Sequence, residues 1–529
     1  MDAVRLIMSG AVVGQELAAE FGPLPPAFLP VGSQRLYELQ LAELQAAGPV
    51  HLVLPESFVP SEFDRDRLAD LGVELLPIPD GLKLGEAVVF ALNSLGRGDV
   101  PVHVLHGDTL IARPPTQAVD VIVGGASGGD YSWAEIEADG ERIRALHVIA
   151  AGEEGRGRPV AVGYFAFSSG LELVRALTRA RGDFIVGLNL YLAAHEVALW
   201  PAEDWQDFGH LQTFFRSRLA VSTTRAFNTL RMDGLTARKS SADADKMLAE
   251  ARWLRNAPSD LQIYCARMIE TGVVDGRGFY LTEYEYLPVL SELFVFGAIG
   301  RKAWLRILGS CESFLRLCAD HRGAGSGDAA LSLLAVDKTM ARLEDFARSG
   351  FEIDRPLSFE GRPCHSLRRI AETLTETIDL RGGRAETVMH GDFCFSNILY
   401  SARVRRIKVI DPRGSVDGPP SLWGDLRYDL AKLAHSIIGR YDQIIAGRCQ
   451  VNRSGDDYAM AFEPLPAQAW LEGALADLSV DGVSGASAEV RAIMTGLFLS
   501  APPLHADRPE RQEAFVANAL RLFLDLGRS

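Results

Sequence analysis

The residues best suited to chemistry lie between Thr387 and Arg413. His390-Gly391-Asp392 is followed, after four intervening residues, by Asn397, and the apolar run Ile407-Lys408-Val409-Ile410 ends in Asp411. Phosphoryl transfer from a nucleoside triphosphate needs one carboxylate to orient the attacking hydroxyl. It also needs an amide and a second carboxylate to hold Mg²⁺ on the phosphates. At this spacing Asp392 takes the first role and Asn397 and Asp411 the second. A lone His-Gly-Asp triplet is weak; the ordered set of triplet, amide and strand-ending carboxylate is specific. His390 reads as a buried structural member of the loop.

The chain that must position these groups has 529 residues, more than one core usually serves, so two or three domains are expected. With 47% hydrophobic and 23% charged residues it has the composition of a soluble globular protein. A formal net charge of −15 argues against nucleic acid or an anionic membrane as partner, but not against a nucleotide held by local donors. The six cysteines have no metal-ligand spacing and read as reduced, mostly buried thiols of a cytosolic protein. No signal-peptide run follows Met1, and no stretch reads as a membrane span, so a cytoplasmic location is expected.

In the first third, strands at Val4–Met8, Val50–Leu54, Val73–Ile78 and Val102–His106 alternate with helices at Gln34–Ala47, Glu62–Leu71 and Gly85–Leu95. That alternation predicts a largely parallel sheet covered on both faces, with ligand at the carboxyl ends of the strands. Ser9-Gly10 and Gly107-Asp108 fall there. Asp108 is placed either to hold Mg²⁺ on a nucleoside triphosphate or merely to cap a turn.

Further landmarks run through this region: Leu29-Pro30-Val31-Gly32, Leu84-Gly85-Glu86-Ala87, His106-Gly107-Asp108, Val162–Phe167 and Trp205-Gln206-Asp207-Phe208-Gly209. In this order, residues 1–217 resemble a sugar-1-phosphate nucleotidyltransferase domain, Rossmann-like with a mixed sheet. The resemblance implies that Asp108 and Asp207 are metal ligands, that the loop at Gly10 faces the nucleotide, and that the loop at Gly85 passes under the nucleobase. The family's Gly-x-Gly-x-Arg is replaced by Gly10-Ala11-Val12-Val13-Gly14-Gln15, and its usual lysine by Pro26. Mg²⁺, backbone donors, and Arg35 or Lys83 would then have to hold the triphosphate.

Residues 218–529 resemble the aminoglycoside phosphotransferase and choline kinase family, of protein-kinase-like two-lobed α+β fold, with a small lobe at about 218–287 and a large lobe at about 288–529. The resemblance rests on the His390–Asn397 loop, Asp411 and the later Gly424-Asp425…Asp429-Leu430-Ala431. It implies that Lys239, on a strand, pairs with Glu250, on the flank of a helix at Asp243–Leu254, to fix the ATP phosphates. Phe227 and Asn228 would lie in the loop over those phosphates, and Asp425 and Asp429 would hold the catalytic loop. A long helical region is expected from Pro288, a flexible loop at Arg322–Asp328, a helix at Leu331–Phe346 and a surface loop at Val451–Asp457. Lys338 and Arg342 read either as solvent-side residues or as neighbours of a substrate phosphate.

Together the two resemblances imply a bifunctional enzyme. One half would phosphorylate a small hydroxyl compound with ATP. The other would couple the product to a nucleotidyl group from an NTP (CTP, GTP and UTP stay open), releasing pyrophosphate for surface-glycan precursors. Each half would use its own Mg²⁺ site. The acceptor reads as sugar, polyol or choline; the modest Trp and Tyr content favours sugar or polyol over a choline cage. The rival reading is a single-activity kinase whose N-terminal domain is a non-catalytic sugar-phosphate binding or docking module.

Overall fold

Five successive residues, Val4–Met8, are all buried, as a strand covered on both faces requires. The computed structural model describes residues 3–44, 48–126, 133–149, 157–221, 228–232 and 234–527. Residues 1–221 with 296–298 form one unit; residues 222–295 with 299–529 form another.

In the first unit Val4–Met8 lies between Val50–Pro55 and Val102–His106, parallel to both, and Val73–Ile78 adds the edge. Beyond Val102–His106 the order continues Val160–Phe167, Val121–Gly125, Ala198–Pro201, Arg142–Ile149 and Trp133–Asp139. Val160–Phe167 runs antiparallel to Val102–His106 and also pairs with Trp133–Asp139, closing the last five strands into a small barrel. The open, largely parallel Rossmann-like sheet expected from the sequence is therefore present only over the first four strands. The cause is local: among the described residues no helix separates the strands between Val102 and Phe167, and without helical crossovers Trp133–Asp139 and Arg142–Ile149 pair as an antiparallel hairpin while Val160–Phe167 runs antiparallel to both its neighbours. The helix expected at 34–47 is described as Leu36–Leu44, after a two-residue strand at Gln34–Arg35.

The second unit opens with a four-stranded antiparallel sheet, ordered Asn228–Met232, Thr236–Ser241, Arg277–Glu283, Met268–Val274. Helix Ala244–Asn256 lies on it, close enough that a Cβ at Gly278 would meet the Ala244 Cα at 2.6 Å. The remainder is mainly helical, with long helices at Arg301–Asp320, Leu426–Ile437, Ala488–Leu499 and Pro509–Leu526.

Four expectations are corrected here. The helix after Pro288 is short, Leu290–Val295. Arg322–Ser326 is a strand paired with Ala385–Val388, not a loop; Gly323 and Gly325 lack the Cβ that would strike the Glu386 side chain at 2.3 and 2.6 Å. The 331–346 helix is interrupted, with a π-helical turn at Ser332–Asp337 before Lys338–Arg348. Val451–Asp457 belongs to a hairpin, Cys449–Ser454 with Asp457–Phe462, turning at Gly455 in the left-handed region. The six cysteines are free, five of them buried. Among the described residues no helix is long and apolar enough to cross a membrane.

Candidate active sites

In the second unit the Met389–Asp392 loop is gripped from several sides. Asp429, fully buried, accepts the N–H groups of His390 and Gly391, both at 2.7 Å. Trp253 Nε1 donates to Met389 O at 2.9 Å, and Arg413 N–H donates to His390 O at 2.8 Å. His390 Nε2 lies 3.0 Å from Ile410 O, so it carries the proton; Nδ1 is then free to accept Asp392 N–H at 3.3 Å. Both ring nitrogens are used by the neutral form. Burial pushes the His390 pKa down to about 4. Asp425, at the N-cap of helix Leu426–Ile437, holds Arg427, which also reaches Asp328 and Glu489.

This frame leaves Asp392 accessible, with 41% of its side chain exposed. Asn397 Nδ2 donates to its Oδ2 at 2.7 Å and to its backbone oxygen at 2.9 Å. Lys432 places Nζ 2.8 Å from the other oxygen, Oδ1. The enclosing protein works against the Asp392 charge, but Lys432 foremost, then Arg413 and His390, hold its carboxyl well below the usual range.

Asp411 stands at the end of strand Arg406–Val409 and its following residue, with φ of 56°. Lys239, on strand Thr236–Ser241, reaches Glu250 at 2.7 Å and Asp411 at 3.0 Å. Tyr280 OH lies 3.0 Å from Glu250 and 2.9 Å from Asp411, and its single proton is shared between the two carboxylates. Glu250, expected on a helix flank, is buried at 2% exposure. Burial disfavours the Lys239 charge, yet Asp411 and Glu250 outweigh it and raise its pKa. The structure thus brings Lys239, Glu250 and Asp411 together, and separately Asp392 with Asn397. Phe227 lies outside the described residues, and Asn228 is described only as the first residue of its strand.

In the first unit Asp108 and Asp207 converge beside Gly209: a Cβ there would lie 2.5 Å from Asp108 Oδ2 and 3.1 Å from Asp207 Oδ1. Asp207 Oδ1 accepts Gly209 N–H at 2.9 Å, while its Oδ2 is buried without a hydrogen bond from the described residues. Burial, then the Asp108 charge, raise the Asp207 pKa. Gln40 Nε2 steadies the loop by donating to the carbonyls of His106, Gly107 and Thr109. Gly85 lies so close to Gly182 that a Cβ would meet its carbonyl oxygen at 2.6 Å, and a Cβ at Gly10 would meet Ile78 at 2.4 Å. Arg35 is not free for phosphates: buried, it donates to Phe28 O at 2.8 Å and pairs with Asp64 at 3.1 Å. Lys83 is exposed, its N–H bonded to Glu86 at 2.9 Å.

Both carboxylate sites suit a hard divalent cation. Two carboxylates facing each other, with one oxygen orphaned in a buried place, fit Mg²⁺ at Asp108 and Asp207. At Asn397 the amide nitrogen is committed to Asp392, which leaves its carbonyl oxygen to serve, with the Asp411 carboxylate, as an oxygen donor. Among the described residues no group of three or more His, Cys, Asp or Glu could hold a metal by itself. A two-donor site of either kind would take its remaining ligands from nucleotide phosphates and water.

Lys432, Arg413 and Tyr280 were not singled out from the sequence. Lys432 carried a usable signal, being three residues after Asp429 and so on the loop-facing side of the same helix.

No family model and no curated protein matches this chain. Among solved structures it is similar to a UDP-glucose pyrophosphorylase from Acinetobacter baumannii, at 13% identity and a TM-score of 0.33, covering 42% of this chain and 93% of that one. It is similar to HddC from Yersinia pseudotuberculosis at 15% identity and a TM-score of 0.32, covering 42% and 100%. It is also similar to an aminoglycoside-3′-phosphotransferase of type VIII at 16% identity and a TM-score of 0.31, covering 57% and 90%.

Proposed function

We propose that this chain is a bifunctional transferase, an ATP-dependent small-molecule kinase over about 218–529 joined to a nucleotidyltransferase over about 1–217. The observation that carries the reading is the pairing of two constellations in the second unit. Lys239, Glu250 and Asp411 form one, Asp392 and Asn397 the other. Lys239 fixes nucleotide phosphates, with Glu250 and Tyr280 holding its ammonium in place. Asp392, held on both oxygens, orients the acceptor hydroxyl and takes its proton as the phosphoryl group transfers. Mg²⁺ held by Asn397 and Asp411 would supply charge neutralisation on the phosphates.

In the first unit Asp108 and Asp207 would hold a second Mg²⁺, which supplies charge neutralisation at the α-phosphate of an NTP. The carboxylates, half-buried and close together, would bind it; the phosphorylated product of the kinase half is the nucleophile, and pyrophosphate leaves. The alternative, a kinase with a non-catalytic N-terminal domain, is favoured by the loss of Arg35 to Asp64. The orphaned Asp207 oxygen speaks against it.

The deciding experiment supplies purified protein with ATP, Mg²⁺ and a panel of sugars, polyols and choline, then offers the phosphorylated product CTP, GTP, UTP or ATP. Phosphoryl product and pyrophosphate are read separately. Pyrophosphate from one NTP supports two activities; phosphorylation without pyrophosphate from any NTP supports the kinase alone.

A further inference from the structure

Beside Asp392 the second unit gathers positive charge that holding ATP does not require. Lys338 and Arg342 lie one turn apart at the start of helix Lys338–Arg348. A π-helical turn, Ser332–Asp337, stands immediately before them, a feature frequent at functional sites. Arg413 lies against the loop, with Cβ and Cδ 2.6 and 3.2 Å from where a Cβ on Gly391 would sit. Lys432 comes from a third element and touches Asp392 at 2.8 Å. All four are half-buried, so none is sealed in the core.

The cations are poorly compensated. Lys338 Nζ makes no hydrogen bond or ion pair with the described residues, and Arg342 reaches Ser500 Oγ at 3.4 Å. Burial, then Arg413, Arg342 and Lys432, push the Lys338 pKa down to about 7, with Asp392 acting in the other direction. Asp345 and Tyr428 also act on Arg342. Four cations gathered beside one catalytic carboxylate, in a chain of net charge −15, repel one another unless a further anion joins them.

We infer that Lys338, Arg342 and Arg413 form an anion-binding subsite beside Asp392, and that the phosphate acceptor itself carries a phosphate or carboxylate group. This rests on the kinase reading of Asp392 and deepens it. Lys432, already engaged with Asp392, adds to the field. The same field repels a quaternary ammonium, which removes choline from the acceptors and keeps acidic sugars and polyol phosphates.

The test titrates inorganic phosphate into the full chain by calorimetry, with Mg²⁺ and a non-hydrolysable ATP analogue saturating the nucleotide site. Lys338→Gln and Arg342→Gln should each weaken phosphate binding tenfold or more. Asp392→Asn should bind phosphate at least as tightly as the unmodified chain, because the competing carboxylate charge is gone. Displacement of phosphate by methyl phosphate or by acetate then tells which anion the subsite prefers. Equal phosphate affinity in the unmodified chain and both glutamine variants would overturn the inference. So would variants that weaken the ATP analogue and leave phosphate binding intact, because the cations would then serve the nucleotide. If phosphate binding falls as expected yet no acceptor is phosphorylated, the subsite stands and the kinase reading fails by itself.

Discussion

Lys432 holds its ammonium 2.8 Å from Oδ1 of Asp392, so the carboxylate assigned to the acceptor is already ion-paired before any substrate arrives. Asn397 occupies the other oxygen at 2.7 Å, and the two partners fix the plane of the group. A hydrogen bond to a charged group contributes roughly 1.5–3 kcal/mol. Lys432→Met should therefore lower kcat of phosphoryl transfer by about tenfold to a hundredfold. It also removes the main influence that lowers the Asp392 pKa, so the acid limb of the pH–rate profile moves to higher pH. An acid limb that stays in place in Lys432→Met would contradict the pairing's role.

Lys239 and Glu250 are 8% and 2% exposed, and removing one partner leaves the other buried. Lys239→Ala should cost about 3–5 kcal/mol of stability and raise KM for ATP while lowering kcat. Tyr280→Phe, which keeps the ion pair and loses the one hydroxyl proton shared between Glu250 and Asp411, should cost about 1–3 kcal/mol and raise KM for ATP only a few-fold. Chemical denaturation and ATP kinetics on both variants check the order. Pyrophosphate release should be unaffected in folded protein; a joint fall of both activities would count against the separation of sites.

His390 is neutral in the fold because it is wholly buried, and the neutral ring is satisfied by donating to Ile410 O and accepting Asp392 N–H. Its pKa falls from an ordinary value of about 6.5 to about 4, so the unfolded chain binds the proton more readily between these values. Stability is therefore full above about pH 6.5 and is lost on acidification toward pH 4. The total is roughly 3 kcal/mol, of which about 2 should be gone by pH 5. Unfolding free energies at pH 7 and pH 5 measure it, and His390→Gln should flatten the difference. An unchanged slope in that variant would assign the acid sensitivity elsewhere.

Asp207 is raised in pKa by burial and by Asp108, a strain that a divalent cation would relieve. Asp207→Asn should raise Tm in metal-free buffer by a few degrees, since the repulsion between the two carboxylates disappears. The same variant should lose any Mg²⁺-dependent rise in Tm and all pyrophosphate release. A loss of Tm without metal would mean that Asp207 is structural.

The loop to which the proposed chemistry is assigned stands out in the sequence because its residues are local: Asp392 and Asn397 are five residues apart, and Asp411 follows the second strand of the next hairpin. The alternating strands and helices before Val102 were legible for the same reason. What escaped depends on distant partners. Arg322–Ser326 looks like a glycine loop until Glu386 on the paired strand shows why side chains are absent. Arg35 was read as free for phosphates because its partner Asp64 lies across the fold. Glu250 looked like a flank residue because burial of a charge is visible only once Lys239 faces it. The closed part of the first sheet goes with the absence, among the described residues, of crossover helices between Val102 and Phe167, which periodicity does not register strongly. The cations around Asp392 come from three elements spread over nearly a hundred residues, with no shared motif.

The most direct measurement is phosphoryl transfer from radiolabelled ATP by Asp392→Asn, compared with the unmodified chain across the acceptor panel, with Mg·ATP binding followed in parallel. Loss of turnover by a factor on the order of 10² or more, with nucleotide binding retained, is the predicted result. Turnover close to that of the unmodified chain would contradict the role of Asp392 and, with it, the kinase at the centre of this account.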